Sequence, residues 1–341
     1  MVRRSGSPSR SPQLRRFLST AAAALLTVTL SGCSLLGGSS APSGGNDKVE
    51  KAKITLGVMK AIDVAPVHIA IKEGYFKEEG LEVDLKTVNG GSDAVPLLTA
   101  GALDISFGNW ISFFQAHAKK TFDMRIVSDA YQARPGMFMV LTRPGSGIDG
   151  PKQLAGKTVA VNTRNNVNEL TLRSVLEAND IKSDKDKISI VEMPFPDMPA
   201  ALAQGRIDAA SVIEPFATQA QRKTGATVVM DSMTGPTSEL PIAGYVTGAK
   251  FAQENPKTVK AFQRAMKKAQ AAAQADRKKV EAQLVEQLKM EEEDAKLVNL
   301  GSFPTTMEHS RLQRVAELMR TYGVLTEQLD VKPLILDDAT N

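Results

Sequence analysis

Short apolar runs alternate with segments of helical periodicity along most of this chain, and the alternation predicts its elements. Lys53–Val58, Glu82–Val88, Ile105–Gly108, Met124–Asp129 and Gly136–Thr142 read as strands. Between them, Val67–Glu73, a helix running through Ala100, and Ile111–Lys119 place apolar residues three and four apart. The pattern then restarts. Thr158–Val161, Lys187–Val191, Ile207–Ile213 and Thr227–Met230 are strand-like, and helices are expected over Val167–Ala178, up to Gly205, and over Ala217–Lys223. Ile242–Thr247 is a last strand, after which everything is helical. Asn255 followed by Pro256 is an N-cap with proline at the first helical position. Val259, Phe262, Met266 and Ala269 share one apolar face; Val280, Leu284 and Leu288 share another; Leu312, Val315, Ala316, Met319 and Leu325 mark a final helix. Methionine at such positions is core filler rather than a cofactor contact. Strand, helix, strand with Gly and Pro punctuation predicts an open, largely parallel α/β sheet.

One unit occurs twice. Leu98-Thr-Ala-Gly101-Ala-Leu103-Asp104 and Leu202-Ala-Gln-Gly205-Arg-Ile207-Asp208 both fit Leu-x-x-Gly-x-(Leu/Ile)-Asp at the end of a helix and the start of a small-residue strand. Glycine suits the left-handed C-cap, and the aspartate turns the chain into the strand. The echo predicts two lobes of similar build, and 341 residues are enough for two moderate cores. The expected division is a first lobe of residues 53–141 plus 242–336 and a second of residues 142–241.

Composition changes this picture at the N-terminus only. The formal charge of +4 is carried by Arg3, Arg4, Arg10, Arg15 and Arg16, so the body is near neutral and nucleic acid is not an expected partner. Phe17–Leu30 is a small, apolar run, too short for a membrane span of about 20 residues but suited to a signal h-region. The chain's one cysteine follows in Leu30-Ser31-Gly32-Cys33, which resembles the lipobox of bacterial lipoproteins. That resemblance implies residues 1–32 as a cleaved signal peptide, with Cys33 lipidated and holding the protein at the extracytoplasmic face of the cell membrane. Sec and twin-arginine export both remain open, since Phe17 directly follows Arg15-Arg16. Gly and Ser in residues 33–52 are linker chemistry, a flexible tether for an otherwise soluble body. A single cysteine forms no intramolecular disulfide, and His68, His117 and His309 have no zinc spacing, so no metal is expected. Gly150 to Thr158 resembles a phosphate loop only superficially: Pro151 stands where glycine is needed, and the strand follows the motif instead of preceding it.

Gly74-Tyr-Phe-Lys-Glu-Glu-Gly-Leu-Glu-Val83, the two Gly-x-x-Asp units, Leu154-Ala-Gly-Lys-Thr-Val-Ala-Val-Asn162 and Glu214-Pro215-Phe216 together carry a family likeness. They resemble the substrate-binding proteins of ABC importers, nitrate/sulfonate/taurine type, a branch that also contains thiamine-pyrimidine precursor binders. The late Asn-Pro-Lys-Thr-Val helix fits the same family, and the likeness covers about Lys53–Leu336. It implies a two-lobed periplasmic-binding-protein-like fold (type II), with two open, mostly parallel sheets joined by two crossovers and closing on ligand by hinge motion. It implies a solute receptor rather than an enzyme: a monomer that needs no cofactor and delivers a small solute to an ABC permease and its ATPase. The solute would be sulfonate- or taurine-like, another small anion or zwitterion, or a heteroaromatic. The alternative is a pyrimidine-precursor enzyme or binding protein of the same fold.

Ligands of open α/β sheets sit beyond the carboxyl ends of the strands. Those ends nominate Asp63; Gly91 and Ser92; Asn109 and Trp110; Asn162, Thr163, Arg164 and Asn165; and Glu214 and Phe216. The turn at Asn162 to Asn166 offers donors at a helix start, suited to an anionic group, or is an ordinary polar cap. Gly91 and Ser92 are equally plain turn chemistry. Trp110, the only tryptophan, is either a stacking wall or core. Glu214 either accepts hydrogen bonds from an amine or amidine on the ligand or pairs near the hinge. Tyr245 is a weaker candidate, and Arg134 reads as a solvated loop residue. Asp63, Asp93 and Glu214 set against Arg164 favour a taurine-like zwitterion or an aminopyrimidine over nitrate or sulfate, which would find the carboxylates costly.

Overall fold

The computed structural model describes residues 48–338; the leader, Cys33 and the tether up to Asp47 lie outside them. No helix among the described residues is long and apolar enough to cross a membrane. The described strands are β1 (Lys53–Val58), β2 (Glu82–Thr87), β3 (Ile105–Asn109), β4 (Met124–Gln132), β5 (Phe138–Thr142), β6 (Thr158–Val161), β7 (Ser189–Glu192), β8 (Ala209–Ile213), β9 (Thr227–Asp231) and β10 (Pro241–Gly248). They form two five-stranded sheets, ordered β2-β1-β3-β10-β4 and β7-β6-β8-β5-β9.

The two orders are the same. In each sheet the first three strands pair in parallel, and one antiparallel strand sits between the third and the edge. That antiparallel strand is the one the chain enters after leaving the other sheet: β5 follows β4, and β10 follows β9. The strand Phe138–Thr142 pairs with β8 and β9, so it belongs to the second sheet. The chain therefore changes sheets before Phe138, and the expected boundary after residue 141 falls inside a strand. A five-residue apolar strand does not announce its partner; pairing decided it.

The repeated unit does the same work twice. Gly101 and Gly205 adopt φ of 70° and 69°, the left-handed conformation expected of them. The Asp104 carboxylate accepts the Thr55 N–H of β1 at 2.9 Å, and the Asp208 carboxylate accepts the Thr158 N–H of β6 at 2.9 Å. Each aspartate's backbone oxygen accepts a hydroxyl from the antiparallel strand, Thr247 at 2.6 Å and Thr142 at 2.7 Å. One aspartate thus ties three strands together in each half.

Packing follows strand alternation. On one face of the second sheet Val140, Val159 and Val161 bury against Leu172, Val175 and Leu176 of the helix Val167–Ala178. On the other, Leu141, Ala160, Ala210 and Val212 bury against Met198, Ala201 and Leu202, with Ala217 and Ala220 of the helix Phe216–Thr224. The first sheet's core is larger because the tail joins it. Phe262, Ala265, Met266 and Ala269 of the 20-residue helix Pro256–Ala275 are fully buried there.

One buried charge makes this core pH-sensitive. Burial pushes the Asp129 carboxyl of β4 up to about 7, against the opposing pull of Arg311 and the Ala130 N–H. In the unfolded chain the group is near its ordinary 3.8. The folded chain therefore binds more protons between about pH 4 and pH 7, and stability falls as pH rises through that window. The thermal midpoint should drop by several degrees from pH 5 to pH 8, and Asp129→Asn should shrink that drop. An equal drop in the variant would place the titration elsewhere.

Candidate ligand-binding site

The carboxyl ends of β1 and β3 in the first sheet and of β6 and β8 in the second open on one cavity of ≈ 140 Å³. After β1, residues Ile62–Val64 make a single tight turn that presents Asp63, and Pro66 then starts the helix Ala65–Lys72. After β3, Asn109 caps the helix Trp110–Ala118, its side-chain oxygen accepting the Ser112 N–H at 2.9 Å. After β6, Asn162 donates its backbone N–H to Asn168 at 3.4 Å, and Asn168 donates to the Ser211 hydroxyl of β8 at 2.9 Å. Asn166 caps the helix that carries Asn168. After β8 comes Glu214. Phe107, Tyr131, Phe138 and Phe195 supply flat apolar wall, and Asn299 reaches in from the tail.

Two carboxylates face this space, and their surroundings differ. Glu214 is saturated. One oxygen accepts the Thr218 hydroxyl at 2.9 Å and the Asn299 backbone and side-chain N–H groups, each at 3.1 Å; the other accepts the Thr218 backbone N–H at 3.1 Å. Burial raises the Glu214 carboxyl above its ordinary value, and these donors pull it part of the way back. Asp63 is half-buried and lines the cavity. Burial pushes it up to about 6, with only its own backbone N–H opposing. Among the described residues that line the cavity, Asp63 and Glu214 are the charged side chains. Asp63 is the one with acceptor capacity to spare.

Of the residues nominated from sequence, Asp63, Asn109, Asn162 and Glu214 line the cavity; the others lie elsewhere. Trp110 is fully buried, its indole stacked on Phe114 at 5.8 Å and lying against Gly244, so it is core and not a wall. Gly91 is buried against Ser112 and Phe113, and Ser92 is exposed. Thr163 is exposed too. Arg164 turns away, pairing with Glu169 at 3.0 Å and donating to the Ile190 carbonyl at 2.8 Å. Asn165 instead receives the Gln115 side-chain N–H on its carbonyl at 3.2 Å, a contact between the two halves. Phe216 stacks behind Phe195, at 5.7 Å, one layer back from the cavity. Tyr245 is buried edge-on to Phe107, and Arg134 is exposed. With Arg164 paired and Asp93 held by Asn89 at the surface, the expected balance of signs tilts to negative. Asn166, the last residue of the nominated turn, lines the cavity as well, whereas sequence reasoning missed Asn168, Asn299 and the aromatic walls. Asn168 lies two residues past that turn, whereas nothing local to Asn299 marks it.

Two α/β halves of one strand order, linked by two crossovers and sharing a cavity at their carboxyl edges, define the two-lobed solute-binding-protein fold. The family described as NMT1/THI5 like matches residues 61–280, and this chain belongs to it. The chain is 27% identical to YtlA of Bacillus subtilis over 223 residues, 65% of each protein, so the match spans just under two thirds of that relative. It is 29% identical to the formylaminopyrimidine-binding protein of Halalkalibacterium halodurans over 143 residues, 42% of this chain and 41% of that one. The crystal structure of the periplasmic aliphatic sulphonate binding protein SsuA from Escherichia coli superposes with a TM-score of 0.71 at 16% identity, covering 86% of this chain and 94% of that one. At that identity the likeness speaks for the fold alone.

Proposed function

We propose that this protein is the extracytoplasmic solute receptor of an ABC importer and that its solute carries a protonated or hydrogen-bond-donating nitrogen. The observation that carries the substrate class is the cavity's charge: carboxylates alone, with Asp63 unsaturated. A nitrate ion or a simple alkanesulfonate would meet Asp63 and Glu214 unpaired, at a cost that neutral asparagines do not offset. An aminopyrimidine fits better, with its ring between Phe107, Tyr131, Phe138 and Phe195 and its amino group on Asp63. A small zwitterion satisfies the same polarity, its anionic end on the helix start at Asn166 and its ammonium on Asp63. Capture rather than conversion is supported by the two sequence relatives above, YtlA and the formylaminopyrimidine-binding protein, both of which are named as binding proteins. Binding that touches both lobes would bias the closed state, which the permease and its ATPase can tell from the open one. In this reading the protein is a monomer tethered through lipid on Cys33.

A thermal-shift panel of aminopyrimidines, taurine, methanesulfonate and nitrate tests the reading. A ligand at 100 times its dissociation constant should stabilise the protein by about 2.7 kcal/mol. Nitrogen-donor compounds should raise the midpoint, and methanesulfonate and nitrate should leave it unchanged. A response to nitrate equal to that of the best amine would sink the substrate class. Chemical conversion of any compound during the assay would sink the receptor.

A further inference from the structure

Besides the two crossovers, a third piece of chain joins the two halves. After the helix Glu292–Leu297 the chain runs through Val298–Phe303 without regular structure, and its anchors lie on the first-sheet side. Arg277 donates to the carbonyl of Val298 at 2.8 Å, the Gly301 N–H donates to the Tyr131 hydroxyl at 2.7 Å, and Ser302 exchanges backbone hydrogen bonds with Gln132 at the end of β4. Between these anchors, Asn299 reaches across to Glu214 of the second half and gives both its backbone and its side-chain N–H to the same carboxylate oxygen.

The segment also presses on the first crossover. A Cβ on Gly136, whose φ is 89°, would lie 2.7 Å from the Asn299 side chain. A Cβ on Gly301 would lie 2.6 Å from the Gln132 carbonyl oxygen and 2.8 Å from the Met137 sulfur. Two glycines permit this approach, one on each partner. Asn299 and Glu214 both line the cavity, so the contact lies where a ligand would sit.

We infer that Val298–Phe303 is a strap that holds the two halves closed, with Asn299 as the positioning residue that fixes the Glu214 carboxylate across the cleft. Opening the cleft separates Glu214 from both Asn299 donors while Thr218, on the same half as Glu214, stays with it. The strap therefore favours the closed form by hydrogen bonds to a charged group that exist only there. Its coupling to ligand rests on the solute-receptor reading; its effect on closure does not.

Asn299→Ala and Asn299→Asp test it, the second by setting a carboxylate against Glu214. Small-angle scattering without ligand should give a larger radius of gyration for both variants, and more so for Asn299→Asp. The dissociation constant of the most stabilising panel compound should rise about tenfold in Asn299→Ala, chiefly through faster dissociation. A lowered thermal midpoint with parental scattering and parental affinity would mean that Asn299 only packs, and the strap would be refuted. If no panel compound binds, the receptor reading fails, and scattering alone then decides: a parental radius for Asn299→Asp refutes the strap and a larger one upholds it.

Discussion

An Asp63→Asn variant should lose about 10- to 150-fold in ligand affinity and gain thermal stability. The loss follows from removing the charged acceptor of a hydrogen bond worth about 1.5–3 kcal/mol. The gain follows from burial. Asp63 is pushed up to about 6 in the folded chain from an ordinary 3.8, so above pH 6 folding carries an ionised carboxylate into a site that disfavours it. An amide of the same shape carries no such penalty. The stabilisation should therefore be full at pH 8, shrink as pH falls through about 6 and vanish near pH 4. Parental affinity for a permanently cationic ligand should weaken over the same range, and the variant's affinity should be flat. Titration calorimetry at pH 5 and pH 7.5, with thermal midpoints at both, measures all of this. Unchanged affinity in Asp63→Asn would remove Asp63 from the site.

The second large effect is structural. Gly244→Ala should destabilise the protein by about 3 kcal/mol or more, at or above the upper end of ordinary overpacking. A Cβ there would stand 2.0 Å and 2.2 Å from two carbons of the Trp110 indole and 2.7 Å from the Ser128 carbonyl oxygen. The indole is fully buried with Phe114 stacked on it, and the carbonyl is backbone in the neighbouring strand β4, so neither gives way cheaply. Trp110 is the only tryptophan in the chain, so urea denaturation followed by its fluorescence reads the site directly. Trp110→Phe in the Gly244→Ala background, which lacks the fluorescent probe and is followed by circular dichroism, should recover part of the loss. A Gly244→Ala protein within 0.5 kcal/mol of the parent, about the scatter of surface changes, would mean that the indole does not pack on this glycine.

Gly244 also explains why the tryptophan was ambiguous in sequence. Trp110 sits just past a strand end, where a ligand wall belongs, but the slot that takes its ring is opened by a missing side chain far along the chain. Short-range signals served well. Nine of the ten strands lay within a residue or two of their expected bounds, β4 running three residues further to Gln132, and the duplicated Gly-x-x-Asp unit pointed to two similar sheets because helix stop and strand start are local chemistry. The cavity was legible where it follows parallel strands, since the carboxyl-end rule needs only strand positions: Asp63, Asn109, Asn162 and Glu214 came from it. It was illegible where it draws on a crossover or the tail. Phe138 opens β5, whose sheet was misjudged, and Asn299 stands in a stretch where only helical periodicity was being read. Arg164 was nominated for its charge, but Glu169, buried one helical turn away, takes it.

The strand orders also set a timetable for the nascent chain. The second sheet is drawn from one unbroken stretch, β5 to β9, and has all its strands once Asp231 has emerged. The first sheet has no such luck: β3 and β4 do not touch each other, and the slot between them belongs to β10. Until Pro241–Gly248 arrives, both strands present open edges of the kind that invite wrong pairing. The half that begins first in the chain is thus the half that finishes last, and the window in which this protein is vulnerable to aggregation closes with the arrival of β10.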